Sequence, residues 1–182
     1  MTLTRQRFWF LRHGETDWNA QGLSQGNVDM PLNANGIAQA HAAAPILVNR
    51  GITSIVASPL SRAHDTAKIA AEMLRLPVHI DEGLRETSFG AQEGKPMLEW
   101  FSQWVEGTYT PTDAESFADL RARSVAAVNR ALERPGLALV VAHGALFRAL
   151  RAEMGLAPNV RTRNAWPLQC DPGDPWILTD AS

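Results

Sequence analysis

The sequence predicts an α/β fold, a three-layer α/β/α sandwich around a mostly parallel central sheet. Two short apolar runs, at residues 8–11 and 137–142, have the composition of buried strands, and a third run, at residues 52–57, is β-branched and apolar. Segments with apolar residues at helical spacing separate these runs, and strands that alternate with helices form parallel sheets covered on both faces. The chain has 182 residues, 45% of them hydrophobic, so we expect residues 1–182 to form a single domain.

The first predicted strand, at residues 8–11, ends next to His13. A helix is predicted over residues 34–48, where alanine and other apolar residues recur at helical spacing. Asn33 is a suitable N-cap residue, and Gly51 can end the helix. These segments form the first strand and helix of the sandwich.

The second strand and helix follow directly. The β-branched run at residues 52–57 predicts a strand, and Ser58-Pro59 ends it. Helical spacing resumes over residues 60–76, and a short strand is predicted at residues 77–80. Residues 81–94 have a mixed composition with several carboxylates, which is typical of a functional loop.

Residues 94–114 are predicted to form a small lid. Within them, aromatic residues recur at roughly helical spacing over residues 97–105, and an irregular connection follows. The remaining predicted elements are a helix over residues 115–134, the strand at residues 137–142, a helix over residues 145–154 and two short strands at residues 165–169 and 176–179.

Composition and charge argue against several classes of function. Lys and Arg number 17 against 19 Asp and Glu, a net charge of −2, so no basic excess indicates nucleic acid or an anionic membrane surface as a partner. The single cysteine, Cys170, rules out an intramolecular disulfide and favours a reducing cytoplasm. No apolar run approaches the roughly 18 residues of a membrane-spanning helix. We expect a cytoplasmic protein whose partner is a small molecule, and the sequence does not indicate its oligomeric state.

Two histidines are expected to meet at one edge of the sheet. His13 and His143 each follow the carboxyl end of a predicted strand, and each is followed by glycine. Open α/β sheets place ligand crevices at this edge. Gly144 allows the backbone to approach a ligand closely, and the helix that starts there presents free N–H groups to an anion.

Two arginines add positive charge at the same edge. Arg12 lies beside His13, and Arg62 begins the helix predicted over residues 60–76. Guanidinium groups bind phosphate oxygens in a planar, bidentate manner that lysine cannot match, so we expect the anion to be a phosphate. A cation in the first turn of a helix is slightly unfavourable, which indicates that Arg62 binds a ligand.

Several motifs of metal-assisted and nucleotide-binding chemistry are missing. The sequence has no GxxxxGK[ST] loop, no GxGxxG turn, no HExxH motif and no dense aspartate cluster for magnesium. We therefore predict no metal and no cofactor. For a pocket that binds phosphate, covalent catalysis by a histidine remains, because it splits a difficult displacement into two easier ones.

Four motifs occur in one order along the chain: Leu11-Arg12-His13-Gly14-Glu15-Thr16 with Asn19, Ser58-Pro59-Leu60-Ser61-Arg62-Ala63, Leu84-Arg85-Glu86 and Ala142-His143-Gly144. Together they resemble the histidine phosphatase (phosphoglycerate mutase-like) superfamily. The Arg-His-Gly-Glu-Thr stretch is the most specific of the four. The resemblance spans nearly the whole chain, and it implies a phosphoglycerate mutase-like sandwich.

The resemblance also implies a reaction, the metal-independent hydrolysis of small phosphate monoesters through a phosphohistidine. His13 would be the nucleophile, with its other ring nitrogen held by a backbone carbonyl group. Glu86 would protonate the leaving oxygen and then activate water. The pocket for the phosphoryl group would consist of Arg12, Arg62, His143 and Asn19.

Some of these assignments have alternatives in the sequence. Glu15, Glu82 and Glu93 are further carboxylates near the motifs, and spacing alone does not choose among them; the family pattern chooses Glu86. Asn19 also fits an ordinary turn residue.

A further group of substrate-binding residues is implied by the phosphatase branch of the superfamily. The run that contains Gln25 and Gly26 resembles the corresponding run of that branch, where a residue at the position of Gln25 can contact phosphate. We include Gln25, Gly26 and Gly144 among the residues that bind the substrate.

Two other functions stay open. A mutase must exclude water and needs additional bases for a carboxylate, whereas Lys95 is the only cationic residue between Gly94 and Glu115, and the long insertion typical of cofactor-dependent phosphoglycerate mutases is absent. These features favour hydrolysis. A non-catalytic regulatory protein that binds a phospholigand would keep the fold and the arginines, but the intact His13 and Glu86 argue against it.

Overall fold

A six-stranded sheet forms the centre of the computed structural model, which describes residues 1–181. Its strands are β1 (Phe8–Arg12), β2 (Ile52–Ala57), β3 (Val78–Ile80), β4 (Leu137–Ala142), β5 (Leu168–Asp171) and β6 (Ile177–Asp180). The order across the sheet is β3-β2-β4-β1-β5-β6; the first four strands are parallel, and β5 and β6 are added antiparallel at one edge. The predicted mostly parallel sheet is confirmed, while residue 182 of the predicted domain lies outside the described residues.

Helices cover both faces of this sheet. They are α1 (Asp17–Gln21), α2 (Ala34–Leu47), α3 (Ser61–Leu74), α4 (Glu99–Glu106), α5 (Phe117–Leu132) and α6 (Gly144–Glu153). Successive residues of β1 point to opposite faces, so Phe10 joins the core under α5 and α6 while Leu11 joins the core under α2 and α3. The three-layer sandwich is thus confirmed, and none of the helices within residues 1–181 is long and apolar enough to cross a membrane.

The short helix α1 is absent from the predicted elements. It has five residues and buries none of them, so it carries no apolar periodicity. Thr16 and Asn19 form a capping box at its start, and Gly22 ends it with a left-handed φ of 71°. Local capping defines this helix, and a pattern based on burial cannot reveal it.

The tail departs from the prediction in the position of its first strand. Ala165 has a left-handed φ of 43°, and its N–H donates to the carbonyl oxygen of Arg12 at 2.9 Å. Pro167 has no N–H for a strand ladder. The strand predicted at residues 165–169 therefore starts only at Leu168, and the second one is shifted by one residue to Ile177–Asp180.

The predicted lid contains α4, which starts two residues later than expected. Phe101 and Trp104 of this helix are buried in a separate apolar cluster with Phe89 and Phe117. The indole Nε1 of Trp104 donates to the carbonyl oxygen of Glu115 at 2.9 Å. These contacts attach the segment to α5 at the side of the sandwich.

Two glycines allow the loop after β1 to touch the first turn of α2. A Cβ atom on Gly14 would lie 2.3 Å from the carbonyl oxygen of Gly36, and one on Gly36 would lie 2.0 Å from the carbonyl oxygen of Glu15. Both separations are far below van der Waals contact. Because this loop carries His13, the contact of the two backbones fixes the position of that histidine.

We expect Gly36→Ala to lower the free energy of unfolding by about 1–3 kcal/mol, since the added methyl group has no room. This is opposite in sign to the gain of roughly 0.5–1 kcal/mol that alanine usually brings inside a helix. Urea unfolding measures the difference, and Ala38→Gly, at an exposed position of the same helix, calibrates the helix propensity. Equal or higher stability of Gly36→Ala would contradict the tight contact.

Candidate active site

A cavity of about 40 Å³ opens at the carboxyl ends of β1 and β4, and we call it the phosphoryl cavity. It has room for a few water molecules or one phosphoryl group, since one water molecule needs about 10–15 Å³ of such a cavity. The predicted site residues that line it are Arg12, His13, Asn19, Gln25, Gly26, Arg62, Glu86 and Gly144. Its other lining residues are Leu23, Ser24, Phe89, Met97, Phe101, Ala145 and Arg148.

His13 is buried at the end of β1 with one ring nitrogen bound and one free. Its Nδ1 lies 2.7 Å from the carbonyl oxygen of Gly14, and since a carbonyl only accepts, Nδ1 carries the proton. Nε2 has no hydrogen-bond partner within residues 1–181. Burial, and then the positive charges of Arg62 and Arg12, hold the ring pKa well below its usual 6.5. The ring is therefore neutral at pH 7, with a free lone pair on Nε2.

His143 lies behind His13, away from the wall of the phosphoryl cavity. The ring centroids of the two histidines are 5.2 Å apart. Nε2 of His143 lies 2.7 Å from the hydroxyl oxygen of Ser58, and Nδ1 is buried without a partner in the described part of the chain. Burial, followed by the charge of Arg62, also lowers the pKa of this ring well below 6.5.

Arg62 is oriented by two backbone carbonyl groups. It lies in the first turn of α3, which has no side-chain cap, and it is 1% exposed. Its two terminal nitrogens donate to the carbonyl oxygens of Val28 and Gly26, each at 2.8 Å. Burial lowers its pKa to about 10, so the guanidinium stays charged at pH 7. Its Nε is buried and has no partner within residues 1–181.

Arg12 is held in a similar way from the other side. Nη1 donates to the carbonyl oxygen of Thr162 at 2.7 Å, and Nε is buried without a partner in the described chain. Burial and then the charge of Arg148 lower its pKa to about 10. A Cβ atom on Gly144 would lie 3.2 Å from this guanidinium. Gly144 therefore makes room for Arg12 and also lines the phosphoryl cavity, and the approach of its backbone to a ligand stays a prediction.

Glu86 occupies the start of α6. Its two carboxylate oxygens accept hydrogen bonds from the N–H groups of Ala145, Leu146 and Thr87 at 2.9, 3.0 and 3.1 Å. We expected these N–H groups to be free for an anionic ligand, and that expectation was wrong because the chain supplies its own carboxylate. Oε2 accepts only the bond from Ala145, so it keeps a lone pair beside the cavity.

The loop that carries Glu86 is fixed from α5. Arg123 donates to the carbonyl oxygens of Gly83 and Arg85, each at 2.8 Å, and forms an ion pair with Glu115. The position of Glu86 therefore depends on a helix that does not itself reach the cavity.

The other carboxylates considered for the role of Glu86 have partners elsewhere. None of them lines the phosphoryl cavity, whereas Glu86 does. Their partners are Asn33 and Asn35 for Glu15, Arg85 for Glu82, and the N–H groups of Asn27 and Phe89 for Glu93.

Asn19 and Gln25 are oriented by Thr16. The N–H of Thr16 donates to Oδ1 of Asn19 at 3.2 Å, and its hydroxyl donates to Oε1 of Gln25 at 2.6 Å. With its oxygen engaged, the amide of Gln25 keeps its NH₂ group for the cavity. Gly26, with a left-handed φ of 54°, turns the chain so that its carbonyl reaches Arg62.

The segment between α6 and β5 also reaches the site, which the sequence does not reveal. Asn164 donates from Nδ2 to the carbonyl oxygen of His13 at 2.9 Å and to Oδ1 of Asn19 at 3.2 Å. Together with the carbonyl of Thr162, this contact ties an irregular segment to both Arg12 and His13.

Arg148 is a site residue that the sequence analysis does not name. It lies on α6, four residues after Gly144, and it lines the phosphoryl cavity. Helical spacing places such a residue on the same face as Gly144, so the periodicity of α6 could have revealed it.

These groups define a class of site, an anion-binding pocket around a neutral, oriented histidine on an α/β sandwich. Residues 8–173 match the family described as the histidine phosphatase superfamily (branch 1). The chain belongs to this superfamily, as the resemblance of the four motifs implied.

Individual relatives carry more specific names. The probable phosphoglycerate mutase GpmB of Yersinia enterocolitica is 39% identical over an alignment of 167 positions that covers 85% of this chain and 78% of that protein. The structure of a mycobacterial glucosyl-3-phosphoglycerate phosphatase complexed with VO3 has a TM-score of 0.82 at 31% identity and covers 97% of this chain and 98% of its own. A phosphoserine phosphatase of Entamoeba histolytica, at 24% identity and a TM-score of 0.81 over 97% of this chain and 96% of its own, shares the fold.

The depressed pKa values of His13 and His143 predict that the fold loses stability in mild acid. Histidines in the unfolded chain titrate near 6.5, so below about pH 6.5 the unfolded chain binds protons that the folded chain does not. The free energy of unfolding should fall as the pH falls, by at most about 2.7 kcal/mol per pH unit for two groups.

Urea unfolding at a series of pH values measures this slope. His13→Gln and His143→Gln should each reduce it, whereas His41→Gln, at an exposed position of α2, should not. A slope that is the same in all four proteins would contradict the burial of two neutral rings.

Proposed function

We propose that this chain hydrolyses small phosphate monoesters without a metal ion, through a phosphohistidine on His13. The observation that carries the proposal is the state of His13, a neutral ring with a free Nε2 between two buried guanidinium groups. A neutral imidazole is a nucleophile, and the two cations attract the phosphate to it. Membership of the histidine phosphatase superfamily supports the same chemistry.

The reaction proceeds in two displacements. The first displacement starts with Glu86 in its protonated form. Nε2 of His13 attacks phosphorus in line, a nitrogen–phosphorus bond forms, the bond between phosphorus and the ester oxygen breaks, and that oxygen takes the proton of Glu86. Water then attacks the phosphohistidine, Glu86 takes a proton from that water, and the nitrogen–phosphorus bond breaks to release inorganic phosphate. Arg12 and Arg62 offset the charge on the equatorial oxygens, and Asn19 and Gln25 are further partners. His143 lies behind His13 and supports the nucleophile from there.

We prefer hydrolysis to mutase-type transfer because the lid brings no charged side chain to the phosphoryl cavity. The lid residues that reach the phosphoryl cavity are Met97 and Phe101, which carry no charge. The name of the mycobacterial neighbour, a glucosyl-3-phosphoglycerate phosphatase, agrees with hydrolysis. The name of the Yersinia relative favours the alternative, a phosphoglycerate mutase. A transfer of the phosphoryl group between 3- and 2-phosphoglycerate that outpaces phosphate release would establish that alternative.

Partner and location belong to the same proposal. The partner is a small phosphorylated molecule, as the small volume of the phosphoryl cavity suggests. A cytoplasmic location fits a chain whose single thiol, Cys170, is buried and unpaired.

The first test is the hydrolysis of p-nitrophenyl phosphate in the presence of EDTA. We expect full activity with EDTA and a loss to background in His13→Ala, because this variant lacks the nucleophilic Nε2. His41→Ala, at an exposed histidine, is the matched control. Activity that EDTA abolishes would contradict the absence of a metal, and an active His13→Ala would refute the nucleophile.

Acid-quench trapping separates an enzyme from a protein that only binds the phospholigand. During turnover of a ³²P-labelled ester, we expect an acid-labile label that His13→Ala lacks. Binding of the ester without any label would support the non-catalytic alternative.

The role of Glu86 predicts a dependence on the leaving group. Glu86→Gln should lower kcat/KM for an alkyl phosphate by about 10²–10⁴, the usual contribution of a general acid. For p-nitrophenyl phosphate the loss should be smaller, because p-nitrophenolate leaves without a proton. Glu82→Gln, in the same loop and paired with Arg85, is the matched control. Equal losses on both esters would contradict the proton donor.

A further inference from the structure

Gln39, on α2, contacts the loop that carries His13 although it lies outside the phosphoryl cavity. Its side-chain oxygen Oε1 accepts a hydrogen bond from the backbone N–H of Glu15 at 2.9 Å. The side chain is half-buried, and it is not part of the lining of the phosphoryl cavity. Any effect of Gln39 on the reaction must therefore pass through this loop.

The peptide group between Gly14 and Glu15 connects Gln39 to the nucleophile. Its carbonyl oxygen accepts the hydrogen bond from Nδ1 of His13 at 2.7 Å, and its N–H donates to Gln39. Hydrogen bonds that share one polarisable group strengthen each other, by roughly 10–30% per bond. The bond to Gln39 therefore makes the carbonyl oxygen of Gly14 a better acceptor for the Nδ1 proton.

The direction of both hydrogen bonds in this chain is fixed. A carbonyl oxygen can only accept and a backbone N–H can only donate, so Nδ1 of His13 must donate and the amide of Gln39 must present its oxygen. The tautomer of the ring and the orientation of the Gln39 amide are thus set by the same peptide group.

Other residues of α2 bind Glu15 without touching this peptide group. The carbonyl oxygen of Glu15 accepts from the N–H of Asn33 at 3.0 Å, and its carboxylate accepts from the side-chain amides of Asn33 and Asn35. These bonds involve the following peptide group and the side chain of Glu15. They hold the loop in place, whereas Gln39 acts on the group that binds the histidine ring.

The preceding peptide group, between His13 and Gly14, is held by different residues. The N–H of Gly14 donates to the hydroxyl oxygen of Thr66 at 3.0 Å, and the carbonyl oxygen of His13 accepts from Asn164 at 2.9 Å. Neither bond involves the carbonyl oxygen that binds Nδ1. Thr66 therefore anchors the same loop as Gln39 but does not polarise the acceptor of the ring.

We propose that Gln39 is a positioning residue for His13, which orients and polarises the carbonyl oxygen of Gly14 and so strengthens the hydrogen bond that holds the Nδ1 proton. A stronger acceptor at Nδ1 makes the ring more basic at Nε2, the atom that attacks phosphorus. The buried aspartate of a Ser-His-Asp triad orients its histidine in a comparable way. The effect of Gln39 on the rate rests on the proposed function, since it requires His13 to be the nucleophile.

The kinetic test compares two substitutions at position 39. Gln39→Met removes the acceptor and keeps the length of the side chain, and it should lower kcat/KM for p-nitrophenyl phosphate by about 3-fold to 10-fold, the worth of one hydrogen bond. Gln39→Glu should retain the wild-type value, because a carboxylate oxygen accepts the same bond. The inhibition constant of inorganic phosphate should stay unchanged in both variants, since Arg12 and Arg62 bind the phosphate.

NMR of the His13 ring measures the proposed hydrogen bond without turnover. In protein labelled with ¹⁵N-histidine, Gln39→Met should move the resonance of the Nδ1 proton to higher field, because the bond to Gly14 becomes weaker. Gln39→Glu should move it to lower field, because a hydrogen bond to a charged acceptor is stronger. The two shifts have opposite signs, so Gln39→Glu remains informative even if Gln39→Met does not fold.

Two further variants separate this role from a general stabilisation of the loop. Thr66→Val should lower the free energy of unfolding, since Thr66 is buried and binds the N–H of Gly14, but it should leave the Nδ1 resonance in place. Gln103→Met makes the same exchange on α4, at a half-buried glutamine whose side chain has no hydrogen bond among the described residues. It should change neither kcat/KM nor the resonance.

Each result bears on one proposal. An Nδ1 resonance that is the same in wild type and both Gln39 variants would overturn the role of Gln39, while hydrolysis and the label on His13 would leave the proposed function intact. An equal shift in Thr66→Val and Gln39→Met would also overturn it, because the effect would then belong to the loop as a whole. Weaker inhibition by phosphate in Gln39→Met would assign Gln39 to substrate binding in place of positioning. Absence of turnover in the wild type, together with the expected shifts, would refute the proposed function alone.

Discussion

The hydrogen bond between Nδ1 of His13 and the carbonyl oxygen of Gly14 is the constraint on which the site depends. It fixes the proton on one nitrogen and leaves the other free, and the loop that carries both groups lies against the first turn of α2. That contact requires two glycine residues, Gly14 and Gly36. Burial beside two arginines then keeps the ring neutral. The tautomer, the charge and the position of one side chain are thus set by backbone packing.

The buried charged side chains of the site are hydrogen-bonded to backbone groups and not to side chains of opposite charge. Arg12 and Arg62 donate to carbonyl groups of neighbouring loops, and Glu86 accepts from the N–H groups at the start of α6. Peptide dipoles orient these side chains without neutralising them. The guanidinium groups keep their positive field for a ligand, and little rearrangement is needed when an anion enters.

The sequence predicted the parts of the fold that burial determines. The strands β1, β2 and β4 are continuous apolar runs, and the histidines at the ends of β1 and β4 follow from parallel topology alone. The helix α1 was not predicted because it buries no residue. The start of β5 was predicted too early because the N–H of Ala165 binds the end of β1. Arg148 could have been predicted as a site residue, because helical spacing in α6 places it on the same face as Gly144. Asn164 could not be predicted, since it lies in an irregular segment whose path depends on tertiary contacts with no period in the sequence.

That irregular segment between α6 and β5 has a consequence for how such a site can diverge. Over four residues it provides Arg161 to a cavity of about 250 Å³ that adjoins the phosphoryl cavity, the carbonyl of Thr162 to Arg12, and the amide of Asn164 to His13. The lining of the adjoining cavity and the support of His13 thus share one stretch of backbone. An insertion or deletion there would alter both properties together, whereas single side-chain exchanges at position 161 leave the supporting contacts in place. Point substitution, more than loop exchange, is the route by which this scaffold can acquire a new substrate and keep its chemistry.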